Sequence, residues 1–260
     1  MSGDVSAVVE SGGEGCKPEP ARINRTAPGS APALQKRVAV MQPYFFPYAG
    51  YFRLLYMADH FVIFDCVQFP RRGFVHRTKV NGPSGEIEWL TLPLAKQPCD
   101  VLIKDLVFAP GARALLDARL ARYAWLADAR GAAGERIRAH LHGPLGSVID
   151  YLESGLRLVA DLLGLDPVFC RSSTLDLPPT LRSQERVIAA VKAVGGAHYL
   201  NAPGGRGLYD PARFTGEGLT LSFLAPYHGP YKCFLPALLR QPLPSILADI
   251  RASSRLEPKT

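Results

Sequence analysis

Short apolar runs alternate along this chain with longer stretches of helical periodicity. Val38-Ala39-Val40-Met41 and Phe61-Val62-Ile63-Phe64 are runs of four, too short for helices and predicted as buried strands. Between them, the two prolines of Gln42-Pro43-Tyr44-Phe45-Phe46-Pro47 exclude a helix interior. Residues 49–58 then set Tyr51, Leu54, Leu55 and Ala58 on one face of a predicted helix. Residues 88–93 and 103–108 read as strands. Helices are predicted over 112–130 and about 145–163, the second stopped by Gly164. Val168-Phe169-Cys170 is a further strand. Ser183 is expected to cap a helix reaching Val194, closed by Gly195-Gly196. His198-Tyr199-Leu200 and residues 219–224 read as strands, and residues 245–250 as a last helix. This alternation predicts an α/β fold with a mainly parallel, Rossmann-like sheet, flanking helices and a small helical lobe around 112–163. Sites in such sheets lie at the carboxyl ends of strands. The loops after 38–41, 61–65 and 198–200 are therefore where chemistry is expected.

Composition sharpens this picture at the N-terminus. Of 260 residues, 47% are hydrophobic and 20% charged, enough apolar material for a core. Residues 1–36, however, hold five Gly, four Pro, four Ser and no aromatic residue. They are expected to be a disordered extension ahead of a single α/β domain over 37–260. They carry four basic residues (Lys17, Arg22, Arg25, Lys36) and four acidic ones (Asp4, Glu10, Glu14, Glu19). The net charge of +7 therefore belongs to the remainder. Such a body attracts anions: phosphorylated metabolites, nucleotides, nucleic acid or acidic lipid. The five cysteines form no CxxC pair, which argues against a disulfide scaffold or zinc ribbon and fits a reducing cytoplasm. No apolar stretch approaches the roughly 18 residues of a membrane span, and the start lacks a secretory pattern. No metal, Walker or dinucleotide motif is present; the cofactor, including whether ATP or an aminoacyl carrier is used, and the oligomeric state are left open.

Three segments carry candidate chemistry. The first is Gln42 to Phe52, whose aromatics and prolines make a stiff wall. In it Gln42, Tyr44 and Tyr48 can orient a ligand through polar groups. This turn resembles the HxGH turn of nucleotidylyltransferases, with Tyr48 and Tyr51 where the histidines would stand. Its helix N-terminus is a candidate phosphate site, whereas the histidine chemistry is absent. The second segment begins at Asp65, a carboxylate at a strand end and a candidate general base. The basic stretch after it supplies Arg72, Arg77 and Lys79 as phosphate clamps and His76 as a proton shuttle. Cys66 is read as a small buried residue, with nucleophile as the alternative. The third is Asn201 to Asp210. There Gly204 and Gly205 let backbone approach a ligand, with Asn201, Tyr209 and Asp210 beside them. His140 and His142 lack a ligand set and are expected at the surface.

With these segments in hand, the chain resembles the WbqC-like protein family. The resemblance rests on Met41 to Phe52, Phe64-Asp65 and Arg72-Gly73-Phe74-Val75-His76-Arg77. It extends to Trp89 to Leu94 and to Asn201 to Asp210, and covers about residues 38–252. It implies a biosynthetic enzyme of bacterial surface polysaccharides or small natural products. The reaction it suggests is transfer of an acyl or aminoacyl group, such as glycyl, to a nucleotide-linked amino sugar. A condensation or cyclisation enzyme of a natural-product pathway is the alternative, and a non-catalytic nucleic-acid binder the third reading. The chain departs from the usual pattern at Cys66, where relatives carry a second acidic residue. It departs again at His76-Arg77-Thr78, where Asn-Arg-Asn is common.

Overall fold

The computed structural model describes residues 35–257, so the predicted N-terminal extension lies outside the described residues except for its last two positions. Lys36 already belongs to the folded body: its carbonyl accepts from the N–H groups of Ala197 and His198, and its Nζ donates to Val194 O.

Five parallel strands form the central sheet. They are β1 (Arg37–Met41), β2 (His60–Ile63), β5 (Val168–Arg171), β6 (His198–Asn201) and β7 (Thr220–Phe223), in the spatial order β5-β2-β1-β6-β7. β1 lies at the centre, with Val40 opposite Val62 on one side and Val38 opposite Tyr199 on the other. The predicted mainly parallel sheet is what the chain forms. Parallel strands need crossovers, and these put helices on both faces. On one face Ala39, Phe61, Ile63 and Leu200 pack with α1 (Ala49–Met57), α8 (Phe234–Arg240) and α9 (Leu243–Ser253). On the other, Val38, Val40, Val62 and Tyr199 pack with α6 (Ser183–Ala193) and α7 (Pro211–Gly216). The period-2 alternation of the strand side chains assigns each residue to one of these two layers.

A second, antiparallel pair, β3 (Arg77–Asn81) and β4 (Ile87–Thr91), sets Lys79 opposite Trp89. β3 occupies part of the stretch that reads as basic loop in the sequence. Residues 103–108 are not a strand: Ile103–Asp105 is a 3-10 turn, and Phe108 makes one isolated bridge to Leu94. The helical lobe contains four helices rather than two. α2 (Ala112–Leu120) and α3 (Ala124–Ala127) replace the single predicted helix, and α4 (Gly131–His142) precedes α5 (Val148–Leu162). α5 starts where Ser147 Oγ accepts the N–H of Asp150 at 3.1 Å. Ser183 does not cap α6. It is the first helical residue, with φ +47°, and Arg182 precedes it without a side-chain cap bond.

Arg53 ties the layers together. It is buried, and its guanidinium donates to the carbonyls of Gly50 (3.3 Å), Ala225 (2.9 Å) and Ser253 (2.8 Å). It lies 5.3 Å from the centroid of Tyr227. Burial pushes its pKa down, opposed by the nearby Tyr48, Tyr227 and Asp249.

Candidate functional site

The carboxyl ends of β1, β2 and β6 carry the three segments singled out above, and the reversal of strand order falls between β1 and β6. That is where ligands enter open α/β sheets.

At the end of β2, Asp65 is fully buried and accepts three hydrogen bonds. Ser172 Oγ donates at 2.8 Å, Ser173 N at 2.9 Å and Ser173 Oγ at 2.5 Å. These donors follow β5, so the carboxylate locks the ends of two adjacent strands. It communicates with solvent through the exposed Ser173. Cys66 turns the other way. Its Sγ lies 2.8 Å from Ser172 Oγ and accepts from Arg186 Nε at 3.0 Å. It is only half-buried, so the expectation of a buried packing residue is met in part.

The aromatic wall forms as a chain of ring contacts. Tyr51 donates to the carbonyl of Gln42 at 2.8 Å and packs against Tyr44 at 5.3 Å. Tyr44 meets Phe74 at 5.6 Å, and Phe74 meets Trp89 at 5.3 Å. Arg77 lies over Trp89 at 4.2 Å from its centroid, and the Lys79 ammonium at 5.6 Å. Arg77 is held there by donating to the carbonyls of Gly73 (3.0 Å) and Arg72. Tyr44, Phe74, Arg77 and Lys79 thus lie in one run of contacts with Trp89, which is 38% exposed, and Gln42 is tied to it through its carbonyl. Burial raises the Tyr44 phenol, which stays protonated.

Tyr48 stands apart, packed on Tyr227 at 5.8 Å, and burial raises its pKa as well. The N-terminus of α1 is closed to a phosphate at its first N–H: Ala49 N donates to Tyr231 O at 3.1 Å. A Cβ on Gly50 would meet Tyr48 Cε2 at 2.2 Å and Tyr227 Cβ at 2.9 Å. The resemblance to the HxGH turn therefore does not extend to a free phosphate cradle at that amide.

After β6, the buried Asn201 accepts the N–H of Ala202 at 2.7 Å. A Cβ on Gly205 would fall 2.1 Å from Asn201 Nδ2, so glycine there is a packing requirement. Gly204 faces open space. Tyr209 approaches Tyr199, hydroxyl to hydroxyl, at 3.4 Å. Asp210 caps α7 by accepting Ala212 N at 3.0 Å, and its own N–H donates to Gln184 of α6. The first two turns of α6 thus link this loop, through Gln184, to Cys66, through Arg186. Sequence reading missed both residues, because neither stands in a motif.

His76 is placed away from the wall, against Phe69 at 5.0 Å edge-to-face. Its Nδ1 is buried without a partner among the described residues. Burial, with help from Arg77, pushes its pKa down to about 4, so the ring is neutral at pH 7. Arg72 lines a neighbouring cleft with Arg71 and Cys99. The structure thus brings the wall residues together and sets Asp65 and His76 in separate surroundings. His140, expected at the surface, is instead half-buried and stacked on Tyr151 at 4.5 Å. Among the described residues, no group of three or more His, Cys, Asp or Glu could hold a metal ion, and no helix is long and apolar enough to cross a membrane.

The fold is an open parallel α/β sheet with helices on both faces, and the sequence comparison gives its family. The WbqC-like protein family matches residues 42–239, and the chain belongs to that family. It is also similar to Uncharacterized protein Rv1507c of Mycobacterium tuberculosis (strain ATCC 25618 / H37Rv), with 34% identity over 59 residues. That match covers 23% of this chain and 25% of the relative. No solved structure matches.

Proposed function

We propose that this WbqC-like protein is a biosynthetic transferase. It joins an acyl or aminoacyl group to the amine of a small anionic substrate, such as a nucleotide-linked amino sugar. The observation that carries the reading is Ser173: an exposed hydroxyl hydrogen-bonded at 2.5 Å to a fully buried carboxylate at a strand's carboxyl end. Amide formation needs an acceptor for the amine proton. The amine nitrogen attacks the acyl carbonyl, the new C–N bond forms, and the donor's leaving group departs with the electron pair. The amine proton passes to Ser173 Oγ as the hydroxyl proton moves to Asp65. His76, with its pKa pushed down to about 4 and set apart from Asp65, is too weak a base at pH 7 to share this role. Arg77 and Lys79 beside Trp89 would hold phosphate and Gln42 and Tyr44 the acceptor; the loop from Asn201 to Asp210 would meet a second anionic group at Gly204, since the Gly205 N–H is spent on the Ala202 carbonyl. Arg72, in the neighbouring cleft, and Tyr48, packed on Tyr227, are set apart from that wall and take no part in this reading.

The test uses the full chain in a thermal-shift panel of ATP, coenzyme A, and UDP- and dTDP-linked amino sugars. A ligand at about 100 times its dissociation constant adds roughly 2.7 kcal/mol, a shift of several degrees. The sugar nucleotides are expected to produce that shift. Mass spectrometry of product should then show a loss of about 100-fold or more in Asp65→Asn and Ser173→Ala. No shift with any sugar nucleotide, or full turnover in both variants, would overturn the reading.

A further inference from the structure

The basic residues of the second segment do not all face one way. Arg77 and Lys79 lie over Trp89, whereas Arg71 and His76 line a separate cleft of about 440 Å3. Its other walls include Phe69, Lys96, Leu115 and Arg119. Three of these six side chains are permanent cations, and among the described residues no carboxylate lines the cleft. Arg71, Lys96 and Arg119 make no ion pair among the described residues.

Two of the three cations, Arg71 and Arg119, are held in place by neutral partners. Arg71 Nη2 donates to the carbonyls of Gln97 (2.6 Å) and Pro98 (2.9 Å), leaving its other N–H groups unspent. Arg119 Nη1 donates to the carbonyl of Thr91. A backbone carbonyl fixes a guanidinium without neutralising it, so two charges are positioned and left uncompensated. The cleft wall is itself stiff. Phe69 N donates to Val101 O, Leu92 N to His76 O, Ala95 N to Val107 O and Ala109 N to Pro93 O, all at 2.7 to 2.9 Å. Cations clustered on one cleft repel one another, and an oxyanion removes that repulsion while accepting several charge-assisted hydrogen bonds. The exposed Leu115 and the edge of Phe69 give the body of a ligand an apolar seat.

We propose that the cleft bounded by Phe69, Arg71, His76, Lys96, Leu115 and Arg119 is an anion-binding site that takes the phosphate or diphosphate group of a small molecule. The site is distinct from the Trp89 wall and does not depend on the amide-forming reading, since it concerns where an anion sits whatever reaction follows.

Inorganic pyrophosphate is titrated into the full chain by calorimetry, with citrate as the carboxylate arm. Pyrophosphate is expected to bind saturably, with a dissociation constant of about 1 mM or tighter. It should weaken about tenfold in Lys96→Gln and further in Lys96→Gln/Arg119→Gln. Lys96 is exposed and makes no hydrogen bond among the described residues, so the single variant keeps the test sound should the double variant fold poorly. Lys192→Gln, which removes a charge that pairs with Glu217 elsewhere, should bind as the parent does. No saturable binding, equal weakening in Lys192→Gln, or parental affinity in Lys96→Gln would overturn the site. Citrate binding as tightly as pyrophosphate would overturn its assignment to phosphate.

Discussion

Two histidines show how burial at a single residue becomes a property of the whole chain. His140 stacks on Tyr151 and meets Phe46 edge-to-face at 5.7 Å, with Nε2 buried and unpartnered among the described residues. Desolvation there pushes its pKa down to about 4, as it does for His76. In the unfolded chain both return to about 6.5. Between those values the unfolded state binds more protons than the folded one, so stability rises with pH. The contribution is complete above pH 6.5, is lost as pH falls from 6.5 towards 4, and levels off below. For the better buried His140 the full loss is roughly 3 kcal/mol; the more exposed His76 contributes less, because solvent screens it. Urea unfolding at a series of pH values should show this decline. His140→Phe, which keeps the ring contacts and removes the titration, should flatten it. An unchanged slope in that variant would mean that other groups set the acid limit.

At the level of elements, the centre of the parallel sheet was legible because β1 and β2 are built on short apolar runs, Val38 to Met41 and Phe61 to Phe64, whose lengths suit strands rather than helices. The lobe was not. Residues 112–130 keep one helical period throughout, and the break between α2 and α3 at residues 121–123 leaves no proline or glycine signal. α4 was missed because it opens with glycine and alanine rather than an apolar stripe. β3 was hidden because the exposed face of its hairpin carries Arg77 and Lys79, which read as charge rather than strand until Trp89 is seen opposite. The candidate site divides in the same way. Asp65 was found as the polar end of an apolar run, but its partners Ser172 and Ser173 lie 107 and 108 residues away and no motif marks them. Ser183 was read correctly as marking the start of α6 and wrongly as its cap. Its φ of +47° is the left-handed region, which costs a non-glycine residue about 1 kcal/mol or more. Ser183→Gly removes that strain and adds back part of it as chain entropy in the unfolded state. The net expectation is a gain of about 0.5 kcal/mol, read as a higher urea midpoint at unchanged slope. A loss would mean that the Ser183 side chain makes a stabilising contact at the head of α6.

On the scale of the molecule, the sheet ends in two edges, and the chain treats the β7 edge with its own C-terminal segment. Glu257 N donates to Phe223 O at 2.8 Å, Ala225 N donates to Arg255 O at 2.9 Å, and Leu224 bridges Leu256 in antiparallel register. The side chains close the same seam: Glu257 pairs with Arg206, whose guanidinium lies 5.5 Å from the centroid of Phe223. Farther along β7, Thr220, Leu221 and Ser222 line an open groove of about 760 Å3 with Tyr209 and Arg206. An unpaired strand edge is a template for pairing with another chain, and a short covering segment is one way to blunt it. Removing residues 255–260 should therefore act in two ways. Losing two main-chain hydrogen bonds and the Arg206 pair should lower stability by about 1–3 kcal/mol, a drop of several degrees in Tm. The bared edge, beside an arginine deprived of its carboxylate, should also raise concentration-dependent self-association, seen as a shift in sedimentation relative to the full chain. A truncated protein that melts and sediments as the full chain does would show that the segment rests on the edge without protecting it. A drop in Tm with unchanged sedimentation would show that the segment stabilises the fold but that β7 needs no cover against pairing.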